Sequence, residues 1–335
     1  MLHIGYEDTS GTIYQGDTPS VLREMASESV DCIITSPPYY GLRDYGESGQ
    51  IGLEETPEEY IEKLVDVFRE ARRVLKNDGT LWLNLGDSYS GSGKGPDGKR
   101  SVITNHAAGV AKPYTGLPPK NLIGIPWRVA LALQADGWIL RQDIIWNKPN
   151  PMPESVTDRC TKSHEYIFLF ARSPRYYFDG EAIKEPVAES SIKRLAQNIE
   201  EQAGSDRVPG REKPMKAVIG RANKGYNKDA FNHPQSEQRG ISSNFGDFIF
   251  RNKRSVWTVT TKPFKFAHFA VFPPDLIEPM VRAGCPVGGT VMDVFMGSGT
   301  TALVAKRLNR KYIGIELNHA YIAIAKDRLR QDNLL

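Results

Sequence analysis

Asp31-Cys-Ile-Ile-Thr-Ser36-Pro37-Pro38-Tyr39-Tyr40 changes character abruptly half-way along. Cys32-Ile33-Ile34 is a short apolar run after Val30-Asp31, which predicts a buried parallel strand. Neither proline can donate a ladder hydrogen bond, and each restricts the residue before it, so the strand must stop there. What remains is a stiff tip carrying a hydroxyl, carbonyls and an aromatic ring at the carboxyl end of a strand. Open α/β sheets bind their ligands along that edge.

Working outward, Thr12-Ile-Tyr-Gln-Gly-Asp17 reads as an edge strand turning into a short helix over Ser20 to Met25. Gly41-Leu-Arg43-Asp-Tyr-Gly46 is a glycine-bounded loop beside the tip. Thr56-Pro57-Glu58-Glu59 combines a cap, a first-turn proline and early carboxylates, so a helix starts there. Tyr60, Ile61, Leu64, Val67, Phe68, Ala71, Val74 and Leu75 recur at three- and four-residue spacing and form its core face. Asn77-Asp78-Gly79 ends it, and Thr80 to Leu85 is a second buried strand. The result is a β–α–β unit, hence a parallel sheet. A helix from Ile125 through Ala135 and an antiparallel pair, Trp138–Trp146 with His164–Ala171, follow. The loop between that pair, Asn147 to Pro153, is stiffened by three prolines.

The far end of the chain holds a second unit of the same kind. Gly289-Thr-Val-Met-Asp293-Val-Phe295-Met-Gly297-Ser298-Gly299-Thr300-Thr301 is a strand ending in a glycine-rich turn, and a helix runs on to Leu308. Lys311-Tyr-Ile-Gly-Ile-Glu316 is the next strand and ends in a carboxylate. An acidic side chain about 20 positions beyond a glycine turn is the usual partner of ribose hydroxyls. The turn lacks Gly-x-Gly-x-x-Gly, which is consistent with a ligand that brings no phosphate.

Ser36-Pro37-Pro38-Tyr39 resembles the Ser/Asp/Asn-Pro-Pro-Tyr/Phe motif of DNA methyltransferases that modify exocyclic amino groups. The Asp293 to Thr300 turn resembles that family's S-adenosylmethionine motif. Lys265-Phe-Ala-His268-Phe269-Ala-Val-Phe272-Pro273-Pro274, followed by Leu276 to Val281, resembles its accompanying cofactor segment. The likeness spans residues 12–171 and 256–335. The order, catalytic tip before cofactor turn, resembles the beta class. It implies an α/β, circularly permuted Rossmann-like methyltransferase fold: a mostly parallel sheet with an antiparallel hairpin, plus an inserted recognition segment. It also implies catalytic roles for Ser36, Pro37, Pro38 and Tyr39. Donor contacts are implied at Asp17, Thr35, His268, Phe269, Asp293, Phe295, Gly297, Ser298, Gly299, Thr300 and Glu316. The expected cofactor is S-adenosyl-L-methionine, the expected partner is double-stranded DNA, and no metal is expected. Members with Ser at the first motif position more often methylate N4 of cytosine, those with Asp N6 of adenine. N4-cytosine is therefore favoured, with N6-adenine the alternative. Relatives of the beta class are often dimers, and a cognate restriction endonuclease is a further expected partner.

Composition excludes several other classes. The 335 residues are 40% hydrophobic and 25% charged, ordinary globular usage and enough for about two domains. No apolar run approaches the roughly 20 residues of a bilayer span, and Met1-Leu-His-Ile-Gly-Tyr-Glu has no signal-peptide pattern. A cytoplasmic, nucleoid-associated protein is expected. Cys32, Cys160 and Cys285 are too scattered for a disulfide framework or zinc site. Cys285-Pro286 reverses the Pro-Cys order of cytosine ring-carbon methylases. Gly93-Lys-Gly-Pro-Asp-Gly98-Lys99-Arg100 fails as a phosphate loop, because Arg stands where magnesium needs Ser or Thr. A basic loop that orders on DNA suits it better.

From about Tyr176 to Ser255 the apolar periodicity fades. Residues 207–254 hold eleven cationic and four anionic side chains, a balance of +7 against +3 for the whole chain. The excess therefore sits in this segment, interleaved with Tyr226, Phe231, His233 and Phe245, which suits phosphate contact and base stacking. The expected division is a discontinuous catalytic domain, 1–175 and 256–335, with a target-recognition insertion at 176–255. Arg43, Lys148, Arg211, Lys213, Arg221, Lys224 and Lys228 are the candidate DNA contacts. The Asn147–Pro153 hairpin also resembles the family's loop that helps hold an extruded base, which implies that role for Trp146 or Lys148. Two readings stay open: a non-catalytic DNA-binding protein on this scaffold, and a methyltransferase acting on RNA or a protein glutamine.

Overall fold

Start and stop signals in the sequence translate directly into elements. The computed structural model describes residues 2–42, 44–91, 115–188, 250–262 and 272–331. The chain forms two compact units, Met1–Ile183 with Arg254–Leu335, and Lys184–Lys253.

Ile4–Asp8 (β1) and Gly11–Gln15 (β2) make a hairpin. Asp17 caps α1 (Thr18–Glu24) by accepting from the Ser20 amide at 3.0 Å, and β3 is Val30–Thr35. A capping box between Thr56 and Glu59 opens α2 (Pro57–Val74), which passes straight into β4 (Leu75–Leu85). Then come α3 (Ile125–Ala135), β5 (Ile139–Asn147) and β6 (His164–Ala171). In the smaller unit, β7 (Glu185–Pro186) and β8 (Phe250–Arg251) pair antiparallel, and Arg251 meets Glu185 at 2.9 Å. The larger unit continues with β9 (Val256–Thr258), α4 (Pro274–Gly284), β10 (Thr290–Asp293), α5 (Thr300–Arg307), β11 (Lys311–Glu316) and α6 (His319–Gln331).

The main sheet has the order β1-β2-β11-β10-β3-β4-β6-β5-β9. From β2 to β4 every pairing is parallel, and β6 lies antiparallel to both β4 and β5. Strands β10 and β11 slot between β2 and β3, which is the expected permuted arrangement. Both faces are apolar, so the strands are apolar at successive positions. Ile33, Leu81, Leu83, Phe168 and Phe170 face α1 to α3; Cys32, Ile34, Trp82, Ile167 and Leu169 face α4 to α6. The helices thus bury one sheet from two sides.

Three local readings change. Helix α2 ends at Val74, and Leu75 to Gly79, read as its last core residue and its stop, already belong to β4, because the chain passes from helix to strand without a loop. β2 is not an edge, because β1 covers it. The Ile4-Gly-Tyr-Glu-Asp run of β1 has too few apolar residues to announce a strand. Residues 176–183 stay with the larger unit: Tyr177 donates to the Asp78 carbonyl at 2.8 Å, and Phe178 stacks on Trp82 with ring centroids 6.3 Å apart. Among the described residues, no helix is long and apolar enough to cross a membrane.

At Gly11 the hairpin runs so close to β11 that an added Cβ would lie 2.0 Å from the Tyr312 carbonyl oxygen. Gly11→Ala is expected to cost roughly 1–3 kcal/mol by overpacking, read as a lower urea midpoint at unchanged slope.

Candidate active site

Strand β3 delivers Thr35 to the carboxyl edge of the sheet, and the two prolines turn the chain into the tip. Helix α2 holds that tip. Tyr60, buried on its core face, donates its hydroxyl to the Pro38 carbonyl at 2.8 Å and packs against Tyr40 with ring centroids 5.5 Å apart. Tyr39 lies against Gly86, where any Cβ would come within 2.5 Å of its ring.

Neighbouring strands set two further polar side chains beside the tip. Thr35 pairs with Leu83, so Asn84 stands next to Ser36; Leu85 pairs with Tyr166, which brings Glu165 alongside. The Asn84 amide nitrogen is 2.6 Å from the Tyr39 hydroxyl, 2.9 Å from Glu165 Oε2 and 3.4 Å from Ser36 Oγ. Tyr39 donates to Glu165 Oε2 at 2.8 Å. Lys148 forms an ion pair with Glu165 and lies 4.2 Å over the Trp146 ring. Burial pushes the Glu165 carboxyl upward, but the Lys148 charge and the hydrogen bonds outweigh it and hold it below its ordinary value. Burial and the neighbouring carboxylate push the Tyr39 phenol well up, so it remains a donor.

The second wall comes from β10 and β11. Gly297 and Gly299 have φ of 54° and 78°, the left-handed region that favours glycine, and Gly299 caps α5. Glu316 accepts from the Gly297 amide at 2.7 Å and the Asn318 amide at 2.8 Å. Burial pushes its carboxyl up to about 7. Arg328 of α6 braces the turn, donating to the Ser298 carbonyl at 2.6 Å, Ser298 Oγ at 2.9 Å and Thr300 Oγ1 at 3.0 Å.

Asp293 joins the two walls. Thr35 donates to its Oδ1 at 2.7 Å, Thr301 to its Oδ2 at 2.7 Å, and the Phe295 amide to Oδ1 at 3.1 Å. It is fully buried, and burial pushes it up to about 6.

Both walls face one cleft of about 1090 Å³. Of the expected site residues it gathers Asp17, Ser36, Pro37, Pro38, Tyr39, Lys148, Phe295, Gly297, Ser298, Thr300 and Glu316. Thr35, Asp293 and Gly299 do not line it. The first two hydrogen-bond to each other and so fasten the walls. Arg43, Arg211, Lys213, Arg221, Lys224, Lys228, His268 and Phe269 lie outside the described residues, as does most of the glycine-rich basic loop (92–114). Asn84, Glu165 and Arg328 are additions. Their only local sequence signal is a polar residue inside an apolar strand, at Asn84 and Glu165. Among the described residues, no cluster of side chains could hold a metal.

A family model described as DNA methylase, of the N6/N4 kind, matches residues 30–327. The chain belongs to this family. It is an S-adenosylmethionine-dependent DNA methyltransferase. The type II methyltransferase M.Cfr9I of Citrobacter freundii is 44% identical, the match covering 98% of this chain and 90% of that protein. M.SmaI of Serratia marcescens is 42% identical over 95% of this chain and 90% of its own length. Among solved structures, the PvuII DNA methyltransferase (cytosine-N4-specific) superposes with a TM-score of 0.61 at 18% identity, covering 97% and 88% of the two chains. A putative DNA modification methylase of Thermus thermophilus, complexed with S-adenosyl-L-methionine, gives 0.55 at 20% identity, covering 96% and 93%. These two show a shared fold.

The methyltransferase's buried brace has a pH signature. The folded Asp293 carboxyl lies above its ordinary 3.8, so ionising it costs the folded state: this group's contribution to stability is fully present below about 3.8 and is lost as pH rises through about 6. Thr35→Val removes one donor to the ionised form. It is expected to cost about 1–3 kcal/mol at neutral pH and progressively less below about 6, measured by denaturant melts across pH.

Proposed function

We propose that the enzyme transfers the methyl group of S-adenosylmethionine to N4 of a cytosine flipped out of duplex DNA. The observation that carries this reading is the joining of the Ser36–Tyr39 tip and the Gly297–Thr300 turn in one cleft. Serine at the head of the tip, with the resemblance it brings, favours cytosine over adenine.

The cleft suits the donor. Each Glu316 oxygen accepts one backbone N–H and keeps a lone pair for a ribose hydroxyl. The left-handed glycines let the backbone come close to the methionine end, and Asp17 and Phe295 flank the wall. When bound, the donor supplies an electrophilic sulfonium methyl group.

The target amino nitrogen is a weak nucleophile because its lone pair is delocalised into the base. Ser36 Oγ and the Pro37 carbonyl accept its two hydrogens and favour a pyramidal nitrogen with the lone pair exposed. Tyr60 holds the neighbouring Pro38 carbonyl and so helps fix the tip. The prolines fix both acceptors in advance, so little reorganisation accompanies the reaction. The surplus proton passes to solvent after transfer. Flipping costs a few kcal/mol, and stacking on Tyr39 returns roughly 1–3 kcal/mol of it. The Lys184–Lys253 unit, which holds nearly all of the basic segment, supplies target recognition. The type II names of the relatives support a role in protecting sites from a paired endonuclease.

Mass spectrometry of nucleosides from methylated DNA is expected to yield N4-methylcytosine; N6-methyladenine would reverse the choice of base. Ser36→Ala should lower kcat about 100-fold with donor affinity unchanged. Since Glu316 must be ionised to accept two hydroxyls, donor affinity measured by calorimetry should weaken as pH falls below about 7, by up to about tenfold per pH unit. Glu316→Gln should flatten that dependence at lower overall affinity.

A further inference from the structure

We infer that Glu165 is a positioning residue that sets the hydrogen-bond direction of Ser36, acting through Tyr39 and anchored by Lys148. The inference rests on the reading of Ser36 as acceptor for the target amino group, and deepens it.

Direction follows from counting hydrogens. The Glu165 carboxylate, ionised beside Lys148, can only accept. The Tyr39 hydroxyl has one hydrogen, and at 2.8 Å it goes to Glu165 Oε2. Asn84 must present nitrogen to Glu165, because its amide oxygen there would oppose a carboxylate oxygen at 2.9 Å. Its two hydrogens go to Glu165 and to the Tyr39 oxygen at 2.6 Å. Tyr39 then keeps one lone pair, and the group facing it is the Ser36 hydroxyl at 3.4 Å. The Ser36 hydrogen therefore points back along the chain toward Tyr39, and its lone pairs face the cleft. Lys148 supplies the charge that starts this ordering, and the order passes through Glu165 and Tyr39 to Ser36.

A neutral amide at Glu165 could reverse the relay. The glutamine nitrogen would donate to the Tyr39 oxygen, and the Tyr39 hydrogen would swing to Ser36 Oγ and occupy the lone pair the substrate needs. A structural ion pair would show no such reversal. The two possibilities differ in how Glu165 and Tyr39 combine.

The test is single-turnover methylation of a cognate duplex by the full chain, with E165Q, Y39F and the double variant, at saturating donor. E165Q is expected to lose about 30-fold in rate, on the scale of one misdirected active-site hydrogen bond, with donor and duplex affinities within about twofold. Adding Y39F removes the misdirected hydrogen, so the double variant should run faster than E165Q. A wild-type rate in E165Q, or losses that simply multiply in the double variant, would overturn the inference. Wild-type enzyme transferring no methyl group to DNA would instead defeat the underlying functional reading.

K148M gives an independent arm if E165Q does not fold. Around Glu165 stand Ser36 and Tyr39 on the tip, Asn84 on β4, Lys148 just after β5 and Lys162 before β6. Without Lys148 the carboxylate should take up a proton at higher pH, and a protonated Glu165 no longer orders the relay. The K148M rate at saturating donor should therefore fall on acidification through a step that the wild type lacks. A pH profile in K148M parallel to that of the wild type would overturn the inference.

Discussion

A single buried carboxylate fastens the two halves of this enzyme at the place where they meet. Asp293 accepts from Thr35 on one strand and Thr301 at the start of a helix, and a backbone amide completes the set. Burying a charge is costly unless it is hydrogen-bonded, so the three donors and the carboxylate require one another. The tip begins one residue after Thr35, and the glycine turn follows Asp293 within a few residues. Any slip between β3 and β10 would carry the Ser36–Tyr39 tip away from the glycine turn. The separation of the two walls of the cleft is thus set by Thr35, Asp293 and Thr301, which do not line it.

The same economy of roles recurs around the tip. Tyr60 serves the core of α2 and, by its hydroxyl, holds Pro38. Glu316 shapes the glycine turn through Gly297 while keeping lone pairs toward the cleft. Asn84 on β4 and Glu165 on β6 each use polar atoms on Tyr39. Rigid strands, not loops, position most of these groups, which suits a reaction governed by alignment of acceptors.

What the sequence disclosed divides along physical lines. Prolines and glycines impose local backbone rules, so the tip, the turn and the helix starts could be read from short stretches, while the permuted order of strands followed from the family resemblance those motifs carry. Glu316 was legible because its spacing from the turn reflects one strand-to-strand step. Asn84 and Glu165 were not, since only cross-strand register places them beside Ser36, and register is a long-range property. The bond between Thr35 and Asp293 was not legible either: it spans two distant segments, and no local pattern reveals it. β1 escaped notice because a polar edge strand lacks the alternation that betrays a half-buried one.

Strand order also bears on how this chain acquires its shape. β2 and β3 lie close in sequence yet never pair; β11 and β10 fill the space between them. Until residues 290–316 arrive, the growing sheet has an open slot flanked by unsatisfied strand edges. Folding of the parallel core therefore waits on segments roughly three hundred residues apart in the chain, a long loop closure that favours slow assembly and early exposure to neighbouring chains.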